Sequence, residues 1–326
     1  MSLPSNSIHV AIAIIYGFSQ FMTTKLSIHH GESKEKTMKN KAFIYIVIAG
    51  MLWGTSGIFV HYLAPLGLSS LQMASIRGTV AATFMVVYAL IKDRNLFKTN
   101  IKQLALNIGG GVAMYLTGSC YYAAIQASSV STAVMLMYTA PIIVMIFSVM
   151  FLGEKLNVPK CISVILMFLG CCFVSGVIGG FEFSVSGILL GFASGFAYSA
   201  YNILTKIQMK NRCNPISASM YCFIFMAITS MLVTPPSPIV TVAINNPAYI
   251  LMMIGCGLCT SVIPYFLYTI ALKILPAGTA SSLAIIEPVS ATLYSVLFLG
   301  EVLSIFSAVG IVLVVGSVFM LSKSEK

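Results

Sequence analysis

Charged side chains are scarce in this sequence. Only 8% of its 326 residues are charged, whereas 58% are hydrophobic and the mean hydropathy is +0.97. A soluble domain carries about 25% charged residues, so this chain has too few to cover a surface that faces water. Most of its surface must face lipid, and this composition predicts an all-α polytopic membrane protein.

The groups that membrane enzymes need are also missing. Intramembrane aspartyl proteolysis requires two aspartates within the membrane, and the only aspartate here is the loop residue Asp93. The HExxH motif of zinc proteases is absent, and Gly109-Gly110-Gly111 lacks the lysine and the spacing of a phosphate-binding loop. The sequence therefore predicts no enzyme and no cofactor.

Basic residues outnumber acidic ones, with 18 Lys and Arg against 8 Asp and Glu. Such an excess can indicate nucleic-acid binding. These basic residues, however, lie in short loops between apolar runs, and the positive-inside rule explains that placement better. We therefore expect the lipid bilayer, and no nucleic acid, as a partner.

Apolar stretches of about 20 residues predict membrane-spanning helices. Ten occur, at 42–63, 69–92, 103–125, 129–151, 158–180, 186–208, 214–236, 247–273, 276–300 and 303–322. Counted over these spans, every Lys and Arg except Lys25 and Arg77 falls on one side of the membrane. Both ends of the ten-helix core are therefore predicted to be cytoplasmic. Short loops without targeting signals favour a multi-pass protein of a bacterial inner membrane.

Residues 1–41 are predicted to be an N-terminal extension of this core. Their apolar stretch, 8–22, is short for a span, and residues 1–7 carry no positive charge typical of a signal peptide. Met38 precedes Lys39-Asn40-Lys41 and a good first helix, so we interpret Met38 as the natural start and 1–37 as a misassigned or accessory segment. An eleventh helix, with the amino terminus outside, is the alternative.

The two halves of the core resemble each other. Residues 119–157 align without a gap with 266–304, at an offset of 147 and with 13 identities in 39 positions. Pro141 aligns with Pro288, and Gly153-Glu154 aligns with Gly300-Glu301. The sequence thus predicts two five-helix repeats, 42–180 and 186–322. Because five is an odd number, the second repeat enters the membrane inverted, as in secondary transporters, whose substrate site lies near the midplane between repeats.

The pattern of a proline followed by Leu-Gly-Glu at the end of helices four and nine, together with Trp53-Gly54 in helix one, resembles the EamA-type branch of the drug/metabolite transporter superfamily. The resemblance covers about residues 42–322. It implies export of amino acids, metabolites or drugs through a central cavity lined by helices one to four and six to nine. It also implies that helices five and ten are peripheral, often at a homodimer contact.

Two charges lie deep within the predicted spans, Arg77 and Glu287. Charge at the centre of a membrane helix costs roughly 2.5–3.5 kcal/mol and therefore indicates function. At 1.5 Å per residue, Arg77 lies about 12 Å from the outer end of helix two and Glu287 about 17 Å from the inner end of helix nine. These depths agree, so the two side chains could pair. Glu287 aligns with Ala140 and is a candidate for proton coupling; a permanent Arg77–Glu287 clamp between the halves is the alternative.

Prolines and polar side chains complete the candidate substrate site. Pro141 and Pro288 should kink helices four and nine and free the carbonyls of Met137 and Ala284. A small-molecule substrate could use such carbonyls near the midplane. Aromatic and amide side chains within the spans are further candidates, namely Trp53, Tyr138, Tyr198, Tyr201, Tyr265 and Asn202. Tyr121 and Tyr122, near a helix end, are instead predicted to lie in the interfacial belt.

The function these features favour is secondary transport of a small solute by alternating access. A channel or a lipid scramblase is the alternative, and a membrane-embedded enzyme is a weaker one. Channels usually carry rings of like residues from symmetric subunits, whereas the deep charges here are single. The substrate, direction and coupling ion are not encoded in any motif.

Overall fold

The computed structural model describes residues 32–128, 130–176, 184–300 and 302–324. The α-helices of the first half are α1 (Glu32–Gly54), α2 (Ser56–Leu63), α3 (Ser70–Lys92), α4 (Ile101–Ala127), α5 (Val130–Met137), α6 (Ala140–Leu152) and α7 (Val158–Val174). Those of the second half are α8 (Val185–Lys210), α9 (Pro215–Val233), α10 (Ser237–Asn245), α11 (Ile250–Gly257), α12 (Ile263–Ile274), α13 (Ala277–Leu283), α14 (Ile286–Leu299) and α15 (Ile305–Ser324).

Most of the predicted spans correspond to helices long enough to cross a membrane. Among the described residues, eight helical stretches are long and apolar enough to do so by length and composition. A shorter apolar helix, α7, occupies the position of the fifth predicted span. The long α4, at the third position, is not among the eight. The protein is therefore an all-helical membrane protein, and the count of ten spans stays a prediction.

Several boundaries differ from the prediction. The first helix begins at Glu32, ten residues before the predicted start, and it includes Met38. The prediction for residues 1–31 lies outside the described part of the chain. The short helix α10, in the connection before α11, was not predicted. Its sequence has the prolines typical of a helix start but is too short to span a bilayer.

Helices four and nine are each broken at nearly the same position of the repeat, one residue apart in the alignment. The break between α5 and α6 lies at Tyr138-Thr139, and the break between α13 and α14 lies at Ala284-Ile285. Pro141 and Pro288 fall in the first turn of the helix that follows each break, where proline needs no backbone donor. The predicted kinks are therefore confirmed, but the Ala284 carbonyl is not left free, because it accepts a hydrogen bond from the Glu287 N–H at 3.0 Å.

The two broken helices also end alike. Gly153 has a φ of +66° and Gly300 a φ of +74°, the left-handed conformation that favours glycine at the end of a helix. Their N–H groups donate hydrogen bonds to the backbone carbonyls of Ser148 and Ser295 respectively, and these two serines are again 147 residues apart. The aligned Leu-Gly-Glu triplets are thus matching helix terminators, although Glu301 lies outside the described residues.

The two halves meet along extensive helix–helix contacts. α1 packs against α12 and α14, α4 packs against α8 and α9, and α5 packs against α8. The peripheral pair, α7 and α15, pack closely on each other where Gly170 faces Gly310. Their outer faces carry exposed apolar side chains such as Ile165 and Val312, as expected for helices that face lipid.

Candidate functional site

A cavity of about 370 Å³ lies between the two halves. The sequence-predicted residues that line it are Trp53, Arg77, Tyr138, Tyr198, Tyr265, Glu287 and Pro288. The other lining residues are Ser56, Gly57, Ala74, Met114, Thr117, Gly118, Tyr121, Tyr122, Val134, Met137, Val174, Ser175, Met226, Ala291 and Thr292. A volume within about 300–1,000 Å³ is typical of small-molecule sites, so the cavity can hold a small organic solute.

Arg77 and Glu287 line the same cavity, and they are the only charged side chains among its described lining residues. Arg77 and Tyr138 lie close enough to the Glu287 carboxylate to interact with it electrostatically. The Arg77 guanidinium, however, donates hydrogen bonds to the Thr260 carbonyl at 2.8 Å and to the Ser261 hydroxyl at 3.4 Å. These contacts hold Arg77 on the eighth predicted span, so its position does not depend on a clamp with Glu287.

The partner of Arg77 is an irregular stretch of helix. Between α11 and α12 the chain forms a π-helical segment, Leu258–Val262. Such segments widen a helix by one residue and are frequent at functional sites. Here the segment presents the Thr260 carbonyl and the Ser261 hydroxyl to the Arg77 guanidinium. No feature of the sequence predicted this π-helical segment.

The broken helix places Glu287 in the cavity. It is the second residue of α14, directly after the break at Ala284-Ile285. In the first turn of a helix an acidic side chain faces the positive end of the helix dipole. The break therefore gives the carboxylate a favourable electrostatic position in a membrane protein where a buried charge is otherwise costly.

Two buried donors in the cavity wall make no well-formed hydrogen bond within the described residues. Trp53 and Tyr138 are only 4% and 5% exposed; the Trp53 Nε1 and the Tyr138 hydroxyl both lack such a bond, although the Tyr138 hydroxyl lies near the Glu287 carboxylate. A buried polar group without a partner costs about 1–3 kcal/mol. A bound solute with acceptor groups would satisfy them. This observation indicates that the cavity is built for a polar ligand.

Aromatic rings form much of the cavity wall. Trp53 contacts Tyr265 edge to face, with ring centroids 4.9 Å apart, and Tyr265 contacts Tyr201 in the same way at 5.4 Å. Tyr201 itself does not line the cavity but packs behind Tyr265. Asn202 also lies behind the wall, where it donates to the Tyr198 carbonyl at 2.7 Å and accepts from the Tyr268 hydroxyl.

Two expectations about the lining are wrong. Tyr121 and Tyr122 were predicted for the interfacial belt, but both line the cavity, because α4 turns that face inward. Helix five was expected to be peripheral throughout, yet Val174 at the end of α7 and the following Ser175 also contribute. Pro141, by contrast, is buried in α6 and does not line the cavity; its effect is on the helix break.

At the end of the bundle that carries the Lys and Arg residues, charged side chains cap helix termini. The Lys206 ammonium donates to the Leu272 carbonyl at 2.8 Å and also to that of Leu275. The Lys210 ammonium donates to the Leu152 carbonyl at 2.6 Å. A cation at a helix C-terminus and an anion at an N-terminus are both stabilising.

Glu154 adds a contact between the halves at the same end. Its carboxylate accepts hydrogen bonds from the Ala277 N–H at 2.7 Å and the Gly278 N–H at 3.4 Å. The glutamate that closes helix four thus caps the start of helix nine. The cavity, in contrast, extends from the middle of the bundle toward the opposite end, where Ser56, Gly118 and Thr292 lie.

The contact made by Lys206 should contribute to stability. Lys206→Met keeps most of the side-chain volume but leaves the Leu272 and Leu275 carbonyls without this donor, so we expect the free energy of unfolding to fall by about 1–3 kcal/mol. Thermal unfolding in detergent would measure the loss. Lys273→Met is the matched control, since Lys273 is exposed at the end of α12. If the two substitutions lowered the free energy of unfolding equally, the buried contact of Lys206 would contribute no more to stability than an exposed lysine.

These features together define a polytopic α-helical membrane protein with a solute-sized cavity between two matching halves, whose wall includes charged and polar side chains. The sequence profile of the EamA-like transporter family matches the chain twice, at residues 40–176 and 185–323. The chain therefore belongs to the EamA-like transporter family, and it is a membrane transporter. The two matches also show that the chain contains two copies of the family's repeat.

Relatives from bacteria and archaea cover nearly the whole chain. The uncharacterized transporter YwfM of Bacillus subtilis (strain 168) is 26% identical over 287 residues, which are 87% of this chain and 94% of that protein. An uncharacterized transporter of Archaeoglobus fulgidus is 26% identical over 276 residues, 84% and 94% of the two chains. The uncharacterized inner membrane transporter YicL of Salmonella typhimurium is 22% identical over 297 residues, 88% and 96%.

A solved crystal structure shares the fold. It superposes with a TM-score of 0.72 over 88% of this chain and 99% of the other, at 18% sequence identity. An identity this low shows the fold alone.

Proposed function

We propose that the protein is a secondary active transporter that exports a small polar solute by alternating access, with the cavity as the substrate site and Glu287 as a proton-coupling group. The observation that carries this proposal is the cavity itself, which lies between the repeats and combines Arg77, Glu287 and two donors without a well-formed hydrogen bond. The family and the named relatives support transport but specify neither substrate nor direction.

The cavity favours a substrate that is small and rich in hydrogen-bond acceptors. The Trp53 Nε1 and the Tyr138 hydroxyl supply two donors, and Glu287 offers an acceptor for a cationic or donor group. The remaining wall is largely aromatic and apolar. Amino acids, polar metabolites and compact drugs have this combination of charge, acceptors and carbon skeleton.

The contacts at the Lys- and Arg-bearing end of the bundle support alternating access. If the Lys- and Arg-bearing end is cytoplasmic, as the positive-inside rule predicts, the cavity extends toward the outside, and the contacts of Lys210 with Leu152 and of Glu154 with Ala277 join the two halves on the inside. Rocking of one repeat against the other would break these contacts and open the cavity to the cytoplasm. The proposal also places both ends of the ten-helix core in the cytoplasm. It further includes a homodimer, in which the two copies contact each other through α7 and α15.

The test begins with comparative metabolite profiling of medium and cytosol from cells that express the protein or carry an empty vector. A compound that accumulates in the medium would then be measured in proteoliposomes with an imposed pH gradient. We expect saturable flux that depends on the gradient. Conductance far above carrier rates would favour a channel, and movement of a fluorescent lipid without solute flux would favour a scramblase; either result would contradict the proposal.

A further inference from the structure

A second pocket lies at the end of the bundle that carries the Lys and Arg residues, and it shares no residue with the central cavity. Its volume is about 200 Å³. The lining residues are mostly polar, namely Asp93, Asn95, Leu96, Lys98, Thr99, Gln103, Asn107, Gln208, Arg212, Cys213, Asn214, Ser217 and Ala218. Residues 93–107 belong to the first half of the chain and 208–218 to the second, so the pocket lies between the halves.

A buried amide in this pocket has no partner. Gln208 is 1% exposed, and its Nε2 makes no hydrogen bond to any residue that the structure describes. An unsatisfied buried donor costs about 1–3 kcal/mol, and native proteins leave few such groups without a ligand, ion or water to pair with them. An acceptor atom of a ligand in this pocket would satisfy the amide, which lies beside the Cys222 thiol.

The charges around the pocket favour an anion. Lys98 follows the turn after α3, and Arg212 follows the end of α8, so the two cations approach from opposite halves of the protein. The one carboxylate in the lining, Asp93, already accepts two hydrogen bonds from Asn95, through its backbone N–H and its side-chain amide, both at 2.9 Å. Both bonds fall on Oδ1 of Asp93. The two cations outnumber this one carboxylate among the described lining residues, so the pocket carries a net positive charge.

We propose that this pocket is a binding site for a phosphate group, which Lys98, Arg212 and Gln208 hold between the two halves of the transporter. A phosphate presents several strong acceptor oxygens, and cations with neutral donors around it form charge-assisted hydrogen bonds. The pocket is too small for a nucleotide but fits a phosphate group on a compact molecule. Such a ligand contacts both halves. It therefore stabilises the relative arrangement of the two halves that this structure shows.

The phosphate group could belong to a soluble metabolite or to the headgroup of an anionic lipid, and thermal unfolding can distinguish these sources. The full chain would be placed in nanodiscs, and unfolding would be followed with a dye that reacts with newly exposed thiols, since Cys171, Cys222 and Cys256 are buried. One arm would titrate inorganic phosphate into phosphatidylcholine nanodiscs, against sodium chloride of equal ionic strength. The other would compare phosphatidylcholine nanodiscs with ones containing phosphatidylglycerol.

Two variants test the assigned residues. Arg212 has a φ of +56°, a conformation that asparagine tolerates well, so Arg212→Asn removes the cation without adding backbone strain. Gln208→Met removes the unsatisfied amide at similar volume, and should leave the stability of the unliganded protein unchanged or slightly higher. Arg94→Gln is the control, because Arg94 lies in the same turn as Asn95 but does not line the pocket.

We expect a saturable rise in melting temperature in at least one arm, with the apparent Kd raised about tenfold or more by Arg212→Asn and by Gln208→Met and unchanged by Arg94→Gln. A rise with inorganic phosphate would assign a soluble ligand, and a rise with phosphatidylglycerol alone would assign a lipid headgroup. No rise in either arm beyond the chloride control, or equal responses of wild type and both variants, would overturn the proposal. None of these outcomes depends on the transported substrate.

Discussion

Replacing Glu287 with glutamine is expected to reduce proton-driven transport by about 100-fold or more. Glutamine keeps the size of the side chain and its place after the break between α13 and α14, but it cannot take up or release a proton. Loss of an interaction with a charged group of up to about 3 kcal/mol corresponds to a rate effect of this size. The measurement is the initial rate of solute flux into proteoliposomes under an imposed pH gradient.

The position of Glu287 explains why the effect should be large. Within the part of the chain that the structure describes, Glu287 and Arg77 are the only charged side chains that line the cavity, and Arg77 is held by the Thr260 carbonyl and the Ser261 hydroxyl. Arg77 can therefore stay in place when the charge of Glu287 changes. In the proposed mechanism, the Glu287 carboxylate exchanges its proton or binds a substrate cation as the cavity changes its access.

The same variant can separate coupling from substrate binding. If Glu287 only couples protons, Glu287→Gln should lose accumulation against a gradient but keep exchange of labelled for unlabelled substrate. If Glu287 also binds substrate, both activities should fall. His61→Gln is the matched control, because His61 is a titratable and exposed residue at the end of α2 that does not line the cavity. Normal accumulation by a well-folded Glu287→Gln protein would sink the proton-coupling hypothesis.

Much of the fold could be predicted because membrane helices and repeats leave strong sequence signals. The lack of charge defined the class, and the alignment of Pro141 with Pro288 located two helix breaks that the structure confirms. The matching Gly153 and Gly300 end their helices in the same conformation. These features depend on local chemistry, since proline and glycine act on the backbone of their own turn.

Features that depend on the rotation of a helix about its axis were harder to predict. The positions of Arg77 and Glu287 along their spans predicted similar depths in the membrane, and the two side chains do line one cavity. Depth alone wrongly assigned Tyr121 and Tyr122 to the interface, because it does not say which way a side chain points. Asn202, four residues after Tyr198, shares its helix face but lies nearer the Lys- and Arg-bearing end, where it bonds to Tyr268 instead of lining the cavity.

Contacts between distant parts of the chain were not predictable from one sequence. The helix caps that Lys206 and Glu154 provide join residues more than 60 positions apart. From sequence alone, a charged residue at the end of a span is expected to face water, so these contacts were not predicted. The π-helical segment Leu258–Val262 likewise has no distinctive composition. The hydrogen bond from Arg77 to the Thr260 carbonyl in this segment joins residues 183 positions apart, so it could not be predicted from local sequence.

A substitution at Gly54 should have a large structural effect. Gly54 ends α1 and faces α14, where a Cβ added to it would lie 2.8 Å from the Ala291 backbone nitrogen and 3.1 Å from the Glu287 carbonyl oxygen. Both of those atoms belong to the backbone of α14, so neither can move by a simple change of rotamer. The Gly54→Val variant must push α1 and α14 apart, and it must displace the turn that carries Glu287.

We expect Gly54→Val to lower the free energy of unfolding by about 3 kcal/mol, the upper end of the usual cost of overpacking, and to abolish transport by whatever protein still folds. Gly54→Ala should show the same two effects to a smaller degree. Thermal unfolding in detergent and flux in proteoliposomes would measure them.

Gly316→Val is the control for Gly54→Val, because Gly316 also lies within a helix, α15, but has no atom within 4 Å of an added Cβ. It should leave both stability and flux near the wild-type values, since a valine there faces open space at the periphery. If Gly54→Val matched this control, the close approach of α1 and α14 would not be needed for transport. If instead stability fell while flux per folded molecule stayed normal, the contact would hold the halves together without positioning Glu287. Because the added atoms meet the backbone on which Glu287 is carried, we expect stability and flux to fall together.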